Sequence, residues 1–502
     1  MANKQPGIVR YENVDDGYLD NRKLRKSAGW ILLAALGVGA VISGDYFGWN
    51  FGLKAGGFWG LAAATLLMAV MYVCMVFTIA ELSAALPHAG GFFSFTRNAF
   101  GPLGGFLCGL TDTIEYVITP AVIVVGIGGY INTLVYGSGA HPPIWATCLW
   151  WFLAYTLFVI VNIRGVELTL KVGLVITALA ASVLIVFYVC AVATGQFDPN
   201  LLFNIEPKAP AVHSARGLPF GLFGVFAALP FAIWFYLAIE QLPLAAEEAH
   251  DAARDMPKAL ILGIALLVLF SLLTLVLNTG VGGGAAAMGS SKAPLADGFQ
   301  AVLGRRATAT LLTLVGLTGL IASFHTIIYA YGRVLFALSR AGYIPRWISL
   351  TGRYHTPWVA LGLGAVIGFG CAMIIQLTEG AHGAAAAVGA ALLNMAVFGA
   401  VLSYIMVMLS YIRLRITRPE LPRPYRSPLG IPGAAVGAVL SFLALAATVA
   451  DKEYWPSIIA VAVFLAVGVV YFLVYSRHRL VAQAPEEENA LIDRAEEELA
   501  HQ

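Results

Sequence analysis

The chain has 502 residues, 59% of them hydrophobic and only 12% charged, with a mean hydropathy of +0.80. No soluble core can cover that much apolar surface, so the composition excludes a soluble globular protein and makes lipid the solvent of this chain. The 30 Lys and Arg residues nearly balance the 28 Asp and Glu residues, and the net charge is +2.

Twelve apolar segments are each long enough to cross a bilayer, which takes roughly 20 residues in a helix. They cover residues 28–53, 58–85, 102–136, 144–163, 166–194, 219–246, 257–281, 307–339, 357–377, 384–412, 431–450 and 455–475. The first 27 residues carry no cleavable signal pattern, so the first segment is its own insertion signal. We therefore predict an all-α integral membrane protein with twelve transmembrane helices, or spans.

The distribution of basic residues predicts the orientation, because Lys and Arg are retained on the cytoplasmic side of a membrane. With the N-terminus inside, 23 of the 30 fall on the cytoplasmic side and 7 on the exterior side. We thus expect a plasma-membrane protein with both termini in the cytoplasm. Residues 1–27 are the N-terminal cytoplasmic segment, and residues 479–502 are an acidic tail that is either a short amphipathic helix or a solvated segment.

The first span carries a polar, glycine-punctuated stretch at residues 41–52. Asp45 falls where hydrocarbon would surround its carboxylate, and Gly44 and Gly48 beside it weaken the helix. We interpret this stretch as a break in the transmembrane helix, lining a substrate cavity. Asp45 either neutralises a cation there or caps the half-helix that begins near Tyr46.

The sixth span is interrupted in a similar way by Pro230, Trp234 and Glu240. Two interrupted helices five spans apart indicate a five-plus-five repeat with inverted topology, which brings both breaks to the bilayer midplane. The predicted parts are a first repeat at 28–194, an exterior loop at 195–218, a second repeat at 219–415, and spans 11 and 12 at 416–478. Glu240 is either a cation-binding carboxylate or the cap of a half-helix.

A polar stripe runs along the third span, where Thr111, Glu115 and Thr119 recur at four-residue spacing. Such a stripe must face the protein interior or water, since lipid would not solvate it. The eighth span carries a similar stripe that includes His325. Glu115 and His325 are candidates for a proton relay; the alternatives are a structural hydrogen bond for Glu115 and simple packing for His325.

Groups that would form a metal site or a catalytic centre are not clustered. The five cysteines fall within predicted spans without paired spacing, the nine histidines are scattered, and no phosphate-binding Gly-rich loop is present. We expect no metal, no cofactor, no nucleic-acid partner and no enzymatic activity. The oligomeric state stays open.

Several motifs together resemble the amino acid, polyamine and organocation transporters. They are Ile42-Ser43-Gly44, Glu81-Leu82 with residues 87–91, the run from Trp234 to Glu240 with residues 245–248, and the run from Arg333 to Pro345. The resemblance covers spans one to ten. It implies the fold of the leucine transporter, with the first, third, sixth, eighth and tenth spans lining the solute pathway, and it makes Trp234 the gate over the substrate.

The run from Ser43 to Gly52 is most similar to the ethanolamine permeases. A carboxylate at Asp45 would repel the carboxylate of an amino acid, whereas a small cationic amine such as ethanolamine fits it. The resemblance thus implies a secondary transporter that imports ethanolamine or a similar small amine by alternating access. The alternative is an amino acid permease, which requires Asp45 to point away from the cavity; a membrane channel is a remote alternative.

This sequence departs from the family pattern at two positions, since Ile42 and Ala238 each replace a usual glycine and predict a tighter pocket. The coupling ion is left open between proton and sodium, because the fifth span carries no Lys at residues 177–182. The predicted substrate-binding residues are Ile42, Ser43, Gly44, Asp45, Glu115, Thr119, Trp234, Tyr236, Leu237, Ala238 and Glu240.

Overall fold

The structure is a computed structural model that describes residues 9–15, 17–137, 142–207, 214–378, 384–450, 452–488 and 490–491. Eleven helices in this part of the chain are long and apolar enough to cross a membrane, and a shorter apolar helix, Trp30–Tyr46, stands at the first predicted span. The predicted all-α membrane architecture is therefore confirmed. The count differs by this first helix, which is short because its break ends it early.

The helices of the first half follow the apolar runs of the sequence, and several of them are bounded or bent at glycines. They are α1 Trp30–Val41, α2 Ser43–Tyr46, α3 Phe51–Ala85, α4 Phe92–Tyr136, α5 Ile144–Ile163 and α6 Val166–Ala193. Two of them extend before their predicted starts: the chain bends at Gly57 with φ +70° and at Gly101 with φ +80°, both in the left-handed region that favours glycine. The predicted spans begin one residue after each bend.

Nine further α-helices occur among the described residues of the second half. They are α7 Gly221–Ala232, α8 Ala252–Thr279, α9 Gly284–Met288, α10 Pro294–Leu303, α11 Ala309–Arg340, α12 Trp358–Thr378, α13 Ala384–Thr417, α14 Gly430–Ala450 and α15 Trp455–Val474. Short 3-10 segments occur at Asp20–Arg22, Pro199–Phe203, Ile233–Phe235, Ile239–Glu248, Gly304–Arg306, Arg346–Ser349, Lys452–Tyr454 and Ser476–His478. The sixth predicted span thus consists of α7 followed by two 3-10 segments.

Burial separates inner helices from peripheral ones. The apolar window of α11 is 72% buried inside the protein, whereas that of the last helix is 22% buried. The helix α11 packs against α1, α4, α6 and α12. It is the central helix of the bundle, and its length of 32 residues carries it from one end of the bundle to the other.

The described N-terminal and C-terminal segments meet at one end of the bundle, which we call the terminal face. Strand β1, Tyr11–Glu12, pairs in parallel with strand β2, Leu480–Val481. Just after β2 the fully buried Glu487 carboxylate accepts hydrogen bonds from Arg97 at 2.6 Å, from Tyr343 at 2.7 Å and from Tyr11 at 3.0 Å.

The neighbouring Glu486 is buried as well and pairs with Arg340 at 2.6 Å. Arg340 also pairs with Glu247 at 2.6 Å, so the tail is tied to the ends of α11 and of the sixth span. We call these contacts of Glu486 and Glu487 the terminal clasp. The start of the acidic tail is therefore packed into the protein and not solvated; residues 492–502 lie outside the described residues.

The terminal clasp predicts a large effect for one conservative change. In Glu487→Gln the side-chain volume is kept, but the buried Arg97 guanidinium loses its counter-charge, which costs on the order of 3 kcal/mol. We expect a clearly lower unfolding temperature of the detergent-solubilised protein by scanning fluorimetry. The matched control is Glu488→Gln, since Glu488 is exposed. Equal unfolding temperatures for the two variants would contradict the role of the clasp.

Candidate substrate site

The first break is held open by a hydroxyl from α11. The Ser43 N–H donates to Ser323 Oγ at 3.3 Å, and this hydroxyl donates in turn to the Gly39 carbonyl at 3.0 Å. A side chain inserted between residues four apart interrupts the helical hydrogen-bond ladder. The short helix α2 ends at Tyr46. Phe47 after it is extended, and Gly48 follows with φ +96°.

The second break centres on Ala238, whose φ of +84° is unusual for a residue with a side chain. Such a conformation costs on the order of 1 kcal/mol or more for an alanine. It is stabilised locally, because the Ala238 N–H donates to Glu240 Oε1 at 2.9 Å. The carboxyl group of Glu240 thus holds the second break in shape.

The two breaks touch each other. A β-carbon placed on Gly44 would lie 1.8 Å from the carbonyl oxygen of Trp234, much closer than atoms can approach. Only glycine permits this contact between the backbone of the first break and the backbone of the second. The meeting of the breaks therefore depends on Gly44.

A cavity opens beside this contact. Its lining residues are Ala40, Val41, Ser43, Gly44, Phe47, Glu115, Tyr116, Thr119, Val122, Ile123, Trp234, Leu237, Ala238, Ile327 and Ala396. They come from both breaks and from α4, α11 and α13. These elements correspond to the first, third, sixth, eighth and tenth spans, the set that the family resemblance implies.

Seven of the predicted substrate-binding residues lie at this cavity and four do not. At the cavity are Ser43, Gly44, Glu115, Thr119, Trp234, Leu237 and Ala238. Outside its lining are Ile42, Asp45, Tyr236 and Glu240. The predicted relay residue His325 is also outside, with its Nε2 2.9 Å from the Thr169 carbonyl and its ring 5.3 Å from the ring of Phe158.

Asp45 points toward α8 and away from the cavity. Its Oδ1 accepts a hydrogen bond from Thr274 Oγ1 at 2.9 Å, and the whole residue is buried. The hydroxyl of Tyr188 lies 2.7 Å from the same threonine oxygen. Tyr236 points in a similar direction, with its hydroxyl 2.8 Å from Ser271 Oγ on α8. In this structure the Asp45 carboxylate is therefore not placed to meet a cation in the cavity.

Glu115, in the cavity lining, and Glu240, behind it, are neighbouring carboxyl groups. Both residues are buried, and within the described part of the chain neither carboxyl oxygen of Glu115 has a hydrogen-bond partner. Glu240 Oε1 also accepts a hydrogen bond from Tyr404, whose hydroxyl is 3.0 Å from that of Tyr72. Two neighbouring buried carboxylates would repel each other if both were ionised, so this pair is able to hold a proton.

The cavity is bounded differently at its two ends. Away from the terminal face stand the half-buried rings of Phe47 and Trp234, with centroids 5.9 Å apart. Toward the terminal face, Arg333 pairs with Glu248 at 2.9 Å, and Tyr329 donates to the same carboxylate. These three side chains are fully buried, so they seal the cavity on that side.

The lining residues missed by sequence analysis are mostly apolar residues within apolar spans. Val122 and Ile123 continue the face of Glu115 and Thr119 at helical spacing, and this periodicity is a signal that could have found them. Phe47 lies in the stretch 41–52 that was predicted to line the cavity, whereas Ile327 and Ala396 carry no such signal. Their position depends on how distant helices pack.

Comparison with known proteins identifies a family of membrane transporters. The profile of the amino acid permease family matches residues 29–475. The chain belongs to the amino acid permease family, and it is a multi-pass membrane transporter and not an enzyme.

Individual transporters and permeases are similar in sequence to this chain over most of their length. An uncharacterised transporter of Rhizobium meliloti is 30% identical over 348 residues, which are 68% of this chain and 71% of the relative. The branched-chain amino acid permease of Bacillus subtilis is 24% identical over 91% of this chain and 94% of its own length. The methylthioribose transporter of the same organism is 25% identical over 91% and 95%.

The contact between the breaks predicts that Gly44→Ala strongly lowers transport. The added methyl group meets a backbone carbonyl, which cannot swing aside like a side chain, so the breaks must separate. We expect uptake at least about tenfold lower, since overpacking of a core typically costs about 1–3 kcal/mol. The control is Gly129→Ala, where nothing lies within 4 Å of the new carbon. Equal uptake by both variants would show that the contact is dispensable.

Proposed function

We propose that this protein is a secondary active transporter that carries amino acids across the plasma membrane by alternating access. The observation that carries the proposal is the direction of the Asp45 carboxylate, which meets Thr274 and not the cavity. The ethanolamine hypothesis requires that charge beside the substrate. The amino acid hypothesis requires it to be elsewhere, and the permease relatives support it independently.

The cavity has the chemistry for an amino acid with a small apolar side chain. Peptide groups of the two breaks border it at Ser43, Gly44 and Ala238, and broken helices supply polar backbone groups for charged substrate ends. The remaining wall is largely aliphatic, for example at Val41 and Ile327. A side chain of modest size would bury its apolar surface there, which favours binding by roughly 25 cal/mol per Å².

Trp234 is the proposed gate on the side away from the terminal face. Its ring is half buried and lies against Phe47, so a rotation of the two rings would open the cavity without disturbing the breaks. The sealed side would open when the contacts of Glu248 and Arg333 separate. With both termini in the cytoplasm, the gate faces outward and the seal faces inward.

Substrate competition tests the proposed function. We expect neutral aliphatic amino acids such as alanine and leucine to be taken up by proteoliposomes and to compete with each other, while ethanolamine at equal concentration does not compete. In Asp45→Asn the amino acid affinity should stay within about threefold of wild type. If Asp45 binds an ammonium, the same change weakens ethanolamine by about tenfold to a hundredfold, because a hydrogen bond to a charged group is worth about 1.5–3 kcal/mol. The proposal would be overturned if the wild-type protein took up ethanolamine and Asp45→Asn bound it that much more weakly.

We also propose that the coupling ion is a proton held by Glu115. Among the described lining residues Glu115 supplies the only carboxyl group, and Glu240 behind it has two hydrogen-bond donors, Ala238 N–H and Tyr404. The pair can therefore carry one shared proton, with the negative charge supported at Glu240, or two protons when a second one arrives through the cavity. His325, which lies outside the lining, is not needed for this exchange.

Gradient-driven uptake tests the role of Glu115. Wild-type proteoliposomes should accumulate amino acid under an imposed pH gradient and not under a sodium gradient. Glu115→Gln should lose this accumulation but retain exchange of labelled for unlabelled substrate, because the amide keeps the volume and cannot gain a proton. The control is the exposed Glu206→Gln. Unchanged pH-driven accumulation in Glu115→Gln would contradict the proposal.

A further inference from the structure

A basic cleft lies on the terminal face, away from the substrate cavity. Arg25, Arg164, Lys171, Arg353 and His355 border it, together with one acidic residue. That residue is Glu167, which pairs with Lys171 at 2.7 Å. The cleft therefore carries a clear excess of positive charge.

Three arginines in this cleft come from three separate parts of the chain. Arg25 precedes α1, Arg164 follows α5, and Arg353 precedes α12. All three are exposed, and across the described part of the chain none of them forms an ion pair. The one carboxylate of the cleft, Glu167, already pairs with Lys171, so the three arginines leave a positive potential that attracts an anion. Basic residues are expected on a cytoplasmic face in general, but that tendency alone does not explain why three unpaired arginines lie in one cleft.

An apolar groove lies on the outside of the bundle, on the two helices whose ends border this cleft. It lies between α5 and α12 and is lined by Phe152, Val159 and Ile160 on one side and by Val366 and Phe369 on the other. Phe152 is 58% exposed and Val366 is 71% exposed, so the groove faces lipid. Its lining is almost entirely hydrocarbon.

The cleft and the groove share the same two helices. Arg164 directly follows α5, Arg353 shortly precedes α12, and the Thr356 hydroxyl donates to the Ile163 carbonyl at 2.6 Å, which joins the helix ends. With a rise of about 1.5 Å per residue, the groove begins about 6 Å from Arg164 at Ile160 and reaches about 18 Å at Phe152. This depth matches one leaflet of the roughly 30 Å hydrocarbon core.

We propose that an anionic phospholipid occupies this site, with its phosphate at Arg25, Arg164 and Arg353 and an acyl chain in the groove between α5 and α12. A basic cleft at the ends of two helices, with an apolar groove of leaflet depth between the same helices, favours a lipid over a free anion, which would make no contact with the groove. A bound lipid would hold the N-terminal segment, the end of α5 and the start of α12 together. The site is separate from the substrate cavity and does not depend on which solute is carried.

Lipid binding to the purified full-length protein tests this inference. Delipidated protein in detergent is titrated with phosphatidylglycerol, phosphatidylcholine or inorganic phosphate, and bound lipid is measured by native mass spectrometry. We expect phosphatidylglycerol to bind, phosphatidylcholine to bind at least about tenfold more weakly, and phosphate not to displace the lipid. The double variant Arg164→Gln with Arg353→Gln should weaken phosphatidylglycerol binding about 30-fold, since each juxtamembrane basic residue contributes a comparable electrostatic attraction.

Two further variants separate the head group from the acyl chain. The exposed Arg254→Gln, outside the cleft, is the matched charge control and should bind lipid like wild type. Val366→Trp keeps every charge but fills the groove, so it should also weaken phosphatidylglycerol binding. Wild-type affinity in both the double arginine variant and Val366→Trp would overturn the proposal. Equal affinity for phosphatidylglycerol and phosphatidylcholine would also overturn it. Displacement of the lipid by phosphate would do so too, because it would identify an anion site without a lipid role.

Discussion

Peptide groups in the middle of a membrane must find partners inside the protein, and the contact between the two helix breaks shows how this chain meets that requirement. Ser323 inserts its hydroxyl into the hydrogen-bond ladder of the first break, and Glu240 accepts the freed N–H of Ala238 in the second. Gly44 then lets the backbone of one break reach the carbonyl of Trp234 in the other. The cavity, its gate and its seal are all arranged around this contact.

Three buried carboxyl groups near the breaks have different partners. Asp45 is held by Thr274, Glu240 by Ala238 and Tyr404, and Glu115 borders the cavity beside Glu240. A carboxyl group that is held by fixed donors away from the cavity serves the architecture, whereas one that borders the cavity is available to a solute or a proton. Sequence position alone does not separate these cases, since all three lie within apolar spans.

The helix α11 links the cavity to the terminal face. It carries Ser323 at the first break, Ile327 in the cavity wall, Arg333 in the seal and Arg340 in the terminal clasp. A rigid helix of this length transmits a displacement at one end to the other. The clasp therefore lies on the side of the cavity that would open in the proposed alternating-access cycle. The proposed lipid site lies on the same face but on different helices, α5 and α12.

The sequence by itself determined the class of the protein, the positions of both breaks and the polar stripe of α4. These features are local: apolar run length, glycine, proline and helical spacing act over a few residues. The direction of Asp45, the position of Glu115 beside Glu240 and the burial of Glu487 were decided only by the tertiary structure. Thr274 is 229 residues from Asp45 and Arg97 is 390 from Glu487. A side chain turns toward the partner that packing brings to it, and no local pattern encodes which distant helix that partner will come from.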